Sequence, residues 1–398
     1  MNEMLPKPGE FAPLWDLDPG FVFLNHGSFG ACPSAILDRQ TAFRHRLENQ
    51  PVRFLIREME TLFDAARHKV ALFAGALPQN LVFVQNATTA VNTVFRSLRF
   101  NQGDEIIFTS HIYPACKRVL EYIAVTTGAR LIEAKVGFSV SSSDDITGAV
   151  LGRVSSKTRI ALIDHISSAT AMIYPVDELV RELNRRGVDT MIDGAHALGS
   201  IPIDLEKTGA AYYTANCHKW LCAPKSAAIL YVREDKQKGI IPPVISHAGH
   251  VAESFTERFF WPGTYDPSAV LCTAAVIDYL GSVVHGGWPA IMQHNHLLCL
   301  EARDLLCHGL DAVSSCPDEM VPSMASVRLP VPASYTVPDY KSIGSFQDHL
   351  YQRYRIEVPV WFWGDPAICF LRISAQLYNS PEQYRYLLDA LKETVEVI

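Results

Sequence analysis

Between residues 80 and 235, short apolar runs alternate with segments of helical periodicity, and few architectures satisfy that alternation. LVFVQ (81–85) reads as a buried strand. Val91, Val94, Phe95 and Leu98 then mark one face of a helix at i, i+3, i+4 and i+7. EIIFT (105–109) and RIALID (159–164) are further strands. Pro175 opens a helix striped by Val176, Leu179, Val180 and Leu183, Gly187 suits its C-terminal cap, and TMID (190–193) follows as a strand. Strands and helices taken in turn predict an α/β unit with a mostly parallel sheet.

The tail reads differently. After about residue 285 come a long helical segment, a strand at 323–329 (SMASVRL), a helix near 342–354 and a strand at 368–374 (ICFLRIS). A last helix opens on Ser380-Pro381 with Gln383 placed for a capping box; its stripe is Tyr384, Leu387, Leu388, Leu391 and Val395. The expected organisation is an N-terminal segment (1–30), a large α/β domain (31–285) and a smaller α+β domain (286–398). Ser141–Asp145 reads as a polar turn. At 398 residues and 48% hydrophobic, the chain can bury a sizeable core. Acids outnumber bases 42 to 35 with no basic block, which argues against nucleic acid as a partner. No signal peptide and no run of about 18 apolar residues is visible, which argues against a membrane span. Nine scattered cysteines suit a reducing cytoplasm.

Four features carry chemistry, each with an ordinary structural reading beside it. Asp193 ends a strand where open α/β sheets bind ligands, although aspartates also close strands before glycine turns. Lys219, in Asn216-Cys217-His218-Lys219-Trp220, lies between two apolar runs; burial there would make its amine nucleophilic, while a surface loop would not. Asn86-Ala87-Thr88-Thr89 follows a strand and opens a helix, which makes either an anion cradle or a plain N-cap. Arg372 in a late strand suits a substrate carboxylate or a structural ion pair. Together they meet the needs of pyridoxal 5'-phosphate: an anion site, a Schiff-base lysine, an acid for the ring nitrogen and a clamp for an amino acid. His247 and His250, three apart with no further ligands, do not make a metal site. His111 and His165 read as structural.

The segments FLNHGSFGACP (23–33), QNATTAVN (85–92), DHISSATAMIYPV (164–176), DGAHALG (193–199), CHKWLCAPK (217–225), WPGT (261–264) and LRISAQLYN (371–379) span nearly the whole chain. With them the chain resembles class V aminotransferases, the fold-type I pyridoxal-phosphate enzymes that include cysteine desulfurases, and within these the isopenicillin N epimerase-like branch. The resemblance implies a seven-stranded-type sheet in the large domain. It implies Lys219 as Schiff-base residue, Asp193 against the pyridine nitrogen and His196 at the ring hydroxyl. Ala87, Thr88, Ser168, Asn216 and His218 fall at cofactor-contacting positions, and Tyr113 matches the residue stacked on the ring. Thr264 would reach the partner's phosphate in a homodimer with shared active sites. Asn25, His26 and Arg372 would meet the amino-acid substrate.

The same resemblance implies epimerisation or racemisation at the α-carbon, with Lys219 removing a proton from one face. His26 or a nearby tyrosine would supply the second face. C–S lysis at the β-carbon of a cysteine conjugate or sulfoxide is the alternative, followed by transamination and by a non-catalytic protein of the same fold. Persulfide chemistry is disfavoured: the loop 358–368, VPVWFWGDPAI, lacks the desulfurase cysteine, and Cys369 sits in a strand. Trp361, Phe362 and Trp363 read as an aromatic loop. Ser226 and Ala228 replace glycines common after the lysine.

Overall fold

β-Branched and aromatic runs without charges can only be strands covered on both faces, and the chain supplies several in succession. The computed structural model describes residues 5–248, 252–331, 345–364 and 368–397, with only the backbone of 345 and 395–397. A short N-terminal strand, Val22–Phe23 (β1), precedes the central sheet. That sheet comprises Leu81–Val84 (β2), Glu105–Thr109 (β3), Arg130–Ala134 (β4), Thr158–Asp164 (β5), Asp189–Asp193 (β6), Tyr212–Asn216 (β7) and Ala228–Val232 (β8). Its spatial order is β2-β8-β7-β6-β5-β3-β4. β8 runs antiparallel to β2 and β7, and the other pairs are parallel. The chain is therefore α/β with a mostly parallel seven-stranded sheet, as expected of fold type I.

Each sheet face has its own cover. Ile106, Phe108, Leu162 and Met191 pack under helices Ala87–Ser97 and Pro114–Thr127, which bury Val91, Val94, Phe95, Val119, Leu120 and Ile123. Ile107, Ile163 and Ile192 face the opposite cluster, which continues through Leu24 to Leu371 and Ile373. Met324–Arg328 (β9), Ile356–Glu357 (β10), Val360–Trp363 (β11) and Ile368–Ser374 (β12) complete the strands. β11, β12 and β9 form an antiparallel sheet in that order. β1 pairs parallel with β10, Val22 beside Ile356, so the first residues are stitched to the last third of the chain. The core runs without a break across residue 285.

Some local expectations change. Ser142 caps helix Ser143–Leu151 in a capping box with Asp145, so the polar stretch 141–145 starts a helix. Pro175 is the N-cap of Val176–Arg185 rather than its first residue. At Ser380 half the box forms: its N–H donates to Gln383 Oε1 (3.3 Å), while its hydroxyl donates to Lys7 O (2.6 Å). Trp361, Phe362 and Trp363 lie in β11, zipped to Phe370, Cys369 and Ile368. The side chain of Val395 and residues 342–344 lie outside the described residues. No single described helix is long and apolar enough to cross a membrane.

Candidate active site

β7 ends at Asn216 and the chain must reverse into β8, which places Lys219 in a short, heavily bonded turn. Cys217 and His218 donate to Ala227 O (2.9 and 3.3 Å), Cys222 N–H to Lys219 O (2.9 Å) and Ala223 N–H to Cys217 O (2.9 Å). Two non-glycine residues accept left-handed backbone there, Cys222 (φ 62°) and Ser226 (φ 71°). Ser226 thus pays in backbone energy where a glycine would sit freely. Gly30 approaches from the other side at φ 71°, and a side chain on it would collide with the backbone of His218 and Lys219. Lys219 keeps some surface, but the packing around it desolvates the amine. Burial, with the nearby charge of Arg372, brings its pKa down to about 7, against the opposing pull of Asp193. Its Nζ lies 3.0 Å from His196 Nε2.

Asp193 and Asp164 end neighbouring parallel strands in register. Asp193 Oδ1 accepts from Ala195 N–H (3.0 Å) and Oδ2 from the Cys116 thiol (3.4 Å). Burial raises both carboxyls, and the charge of Asp193 raises Asp164 further. Of the two, Asp164 is pushed further toward its protonated form. Nothing singled it out in the sequence, although it closes RIALID just as Asp193 closes TMID, and the same strand-end argument applies.

The helix Ala87–Ser97 begins beside this pair. Asn86 caps it, its side chain accepting from Thr89 N–H (2.9 Å), and Asn216 Oδ1 accepts from Ala87 N–H (2.9 Å). Thr88, half-buried, lies in the first turn, where backbone N–H groups lack intrahelical partners. His218 Nδ1 meets Ala227 O at 3.2 Å. Tyr113, the N-cap of Pro114–Thr127, is 44% exposed. Thr264 is exposed.

Arg372 is buried, with a cation's worth of charge and no carboxylate paired to it among the described residues. One guanidinium nitrogen donates to Ser168 O and the other to Ser28 Oγ (3.2 Å), while Nε has no partner. Trp361 lies under the guanidinium, 4.7 Å from Cζ to ring centre. Ser28 in turn donates to Asn25 Oδ1 (2.5 Å), and Asn25 donates to Glu357 Oε1 (3.1 Å). Asn25 therefore steadies the arginine through Ser28, a contact that the sequence reading missed.

His26 is corrected. Its ring is fully buried behind the lysine turn, with Nδ1 at 2.8 Å from Tyr378 Oη and Nε2 at 3.0 Å from Lys219 O. Burial takes its pKa to about 3. Both ring nitrogens are engaged, and it holds the turn in place. His111 and His165 are likewise engaged internally, with Thr170 Oγ1 and Tyr213 Oη, both at 2.7 Å. Among the described residues no three His, Cys, Asp or Glu converge on a metal position, and His250 lies outside them.

These groups fit pyridoxal phosphate. A dry amine of lowered pKa can join an aldehyde, a buried carboxylate acts on that amine, a helix start offers N–H groups without intrahelical partners, and a buried guanidinium without a carboxylate among the described residues can take one. The aminotransferase class-V family model matches residues 25–328. A probable chloroplastic L-cysteine desulfhydrase of Arabidopsis thaliana is 33% identical, over 95% of this chain and 84% of that protein. The isopenicillin N epimerase of Streptomyces clavuligerus is 31% identical, over 94% and 95%. The fold matches a cysteine desulfurase of Escherichia coli with TM-score 0.78 at 18% identity, covering 98% of each chain. This chain belongs to the class-V aminotransferase family and is a pyridoxal-phosphate enzyme.

Proposed function

We propose that the enzyme is a C–S lyase that eliminates sulfur from the β-carbon of L-cysteine or a small cysteine derivative. One observation favours this choice over epimerisation: His26, a candidate second-face acid alongside a nearby tyrosine, is locked behind the turn with both ring nitrogens engaged. Lys219 is then the base at hand, and elimination needs one base where inversion needs a base on one face and an acid on the other. The cysteines support the same reading against sulfur transfer. Eight of the nine are buried, and burial raises Cys369 to about 12. Such a thiol is a poor nucleophile. The desulfhydrase relative supports it as well.

In this mechanism Arg372 binds the substrate carboxylate and Ser28 and Ser168 fix the guanidinium's direction. Lys219, as a free amine, takes the α-proton. The cofactor, when bound, supplies the sink for the electron pair left at the α-carbon. Asp193 would pair with the cofactor's ring nitrogen and keep it protonated. Loss of the pair toward the β-carbon releases sulfide, and water completes the breakdown to pyruvate and ammonia. The active form we propose is a homodimer, with exposed Thr264 reaching the partner's site. The unpaired cysteines suit a reducing compartment such as the cytoplasm.

The test is incubation of the loaded enzyme with L-cysteine in heavy water, followed by mass spectrometry. Sulfide and pyruvate in equal amounts are expected. Cysteine recovered as both enantiomers, with one deuterium at the α-carbon and no sulfide, would return the enzyme to the epimerases.

A further inference from the structure

An indole N–H can donate and cannot accept, so any hydrogen-bond chain that begins at a tryptophan has a fixed direction. Trp220, the residue after the lysine, points its Nε1–H at His196 Nδ1 (3.4 Å). Nδ1 must therefore present a lone pair. His196 is 2% exposed, and burial, with the charge of Arg372, holds it neutral. A neutral imidazole whose Nδ1 accepts carries its proton on Nε2. That proton points at Lys219 Nζ, 3.0 Å away. The amine at the far end must then accept, which an ammonium cannot do.

We propose that Trp220 is a positioning residue that selects the Nε2–H tautomer of His196 and so keeps Lys219 a free amine, with its lone pair turned to the imidazole until an aldehyde takes it. The opposite tautomer would set two N–H groups head to head at Nδ1 and leave Nε2 able to accept from a protonated lysine. The indole thus removes the arrangement that would favour the unreactive ammonium.

The surroundings make the indole a rigid reference. His26 packs on it at 4.8 Å between ring centres. Gly199, three residues after His196, approaches so closely at φ 89° that a side chain would come within 2.6 Å of the Trp220 carbonyl. The turn carrying His196 and the turn carrying Trp220 are thereby packed backbone to backbone. Arg372, His218 and His26 are the other cationic or titratable groups around His196, while Asp193 and Cys116 act on Lys219 in the opposite sense. None of these changes its place when the indole loses its N–H. The inference does not depend on which bond the enzyme breaks.

The test uses the full chain labelled with 15N-histidine and stripped of cofactor, then the same chain reloaded. Long-range 1H–15N spectra are expected to show His196 as a single Nε2–H tautomer in the wild type and as a mixture in Trp220→Phe. With the selection gone, an ammonium can donate to Nε2. Capture of pyridoxal phosphate at pH 7, followed by absorbance, should slow roughly two- to sevenfold, the worth of one hydrogen bond on an amine pKa near 7. Reloading is expected to end in the same visible band for both proteins. A wild-type Nδ1–H tautomer would overturn the proposal. So would an unchanged tautomer and unchanged capture rate in Trp220→Phe. If the phenylalanine variant does not fold, benzothienylalanine in place of Trp220 keeps the shape without the N–H, and its spectra decide by the same outcomes.

Discussion

Replacing Arg372 with methionine should leave the fold nearly as stable and yet cost most of the enzyme's preference for amino acids over amines. In the ligand-free protein the guanidinium touches neutral groups: Ser168 O, Ser28 Oγ and the face of Trp361. Two hydrogen bonds from a charged donor are worth ~1.5–3 kcal/mol each and a desolvated cation–π contact ~2 kcal/mol. Against them stands the desolvation of an unpaired cation, several kcal/mol, visible as a pKa drawn down to about 9 by burial. Methionine keeps most of the length and apolar stem, so the opposing effects largely offset. The substrate's carboxylate has no such compensation. Losing a dry carboxylate–guanidinium pair costs ~2–5 kcal/mol, or ~30- to ~5,000-fold in affinity. The assay compares L-alanine with ethylamine, its analogue without the carboxylate, by the change each makes in the visible cofactor band. The wild type should prefer alanine by that factor, and Arg372→Met should bind the two alike. Retention of the preference in a variant with a normal melting profile would refute the carboxylate role; an equal loss for both ligands would assign Arg372 to the architecture of the site.

Three further outcomes follow from the same geometry. Lys219→Ala should lose the visible absorbance of the lysine–cofactor linkage, and a band surviving at the same position would remove Lys219 from that role. Cys369→Ser should retain nearly all lyase activity, because a buried thiol with a pKa near 12 is not the nucleophile; complete loss with a normal fold would revive sulfur transfer. Asp164→Asn should gain stability relative to wild type as pH rises. Burial places the folded pKa of Asp164 well above its ordinary 3.8, so the native state binds more protons than the unfolded chain across that window and wild-type stability falls there by ~1.4 kcal/mol per pH unit. Denaturant titrations at pH 4 and pH 8 measure the gap between the two proteins, and a constant gap would mean that Asp164 is ionised.

The central sheet was legible because its strands are covered on both faces and therefore read as unbroken apolar runs; EIIFT is observed as β3 without a residue's change. β11 was not, because Trp361, Phe362 and Trp363 alternate nothing: their partner is the distant strand β12, and only that pairing makes them extended. β1 is two residues long and exists only through β10, more than 330 positions away. The site divides on the same line. Asp193, Lys219 and Arg372 stand out by residue type and neighbours, whereas the link from Arg372 to Ser28 joins residues 344 apart. His26 misled for a related reason: a histidine beside a quoted motif suggests chemistry, and nothing local reveals that Tyr378 and the Lys219 carbonyl already occupy both of its nitrogens.

The arrangement of charge predicts a pocket that selects an amino acid over a simple amine. A dry site cannot hold many ions, and here burial drives most titratable groups toward their neutral forms: Asp164 and the Cys116 thiol upward in pKa, His196 and His26 downward. Lys219, near 7, sits at the balance point. What remains are a guanidinium without a carboxylate and an aspartate whose bonds come from a backbone N–H and a thiol. Each lacks the opposite charge, and the two missing charges are an anion at one end and a ring cation at the other. A ligand that carries only one of them leaves a buried ion unpaired, which costs more than the contact it makes is worth. Cofactor and amino acid together bring both. An amine without a carboxylate would leave Arg372 unpaired, and this difference is what the alanine and ethylamine titrations would measure.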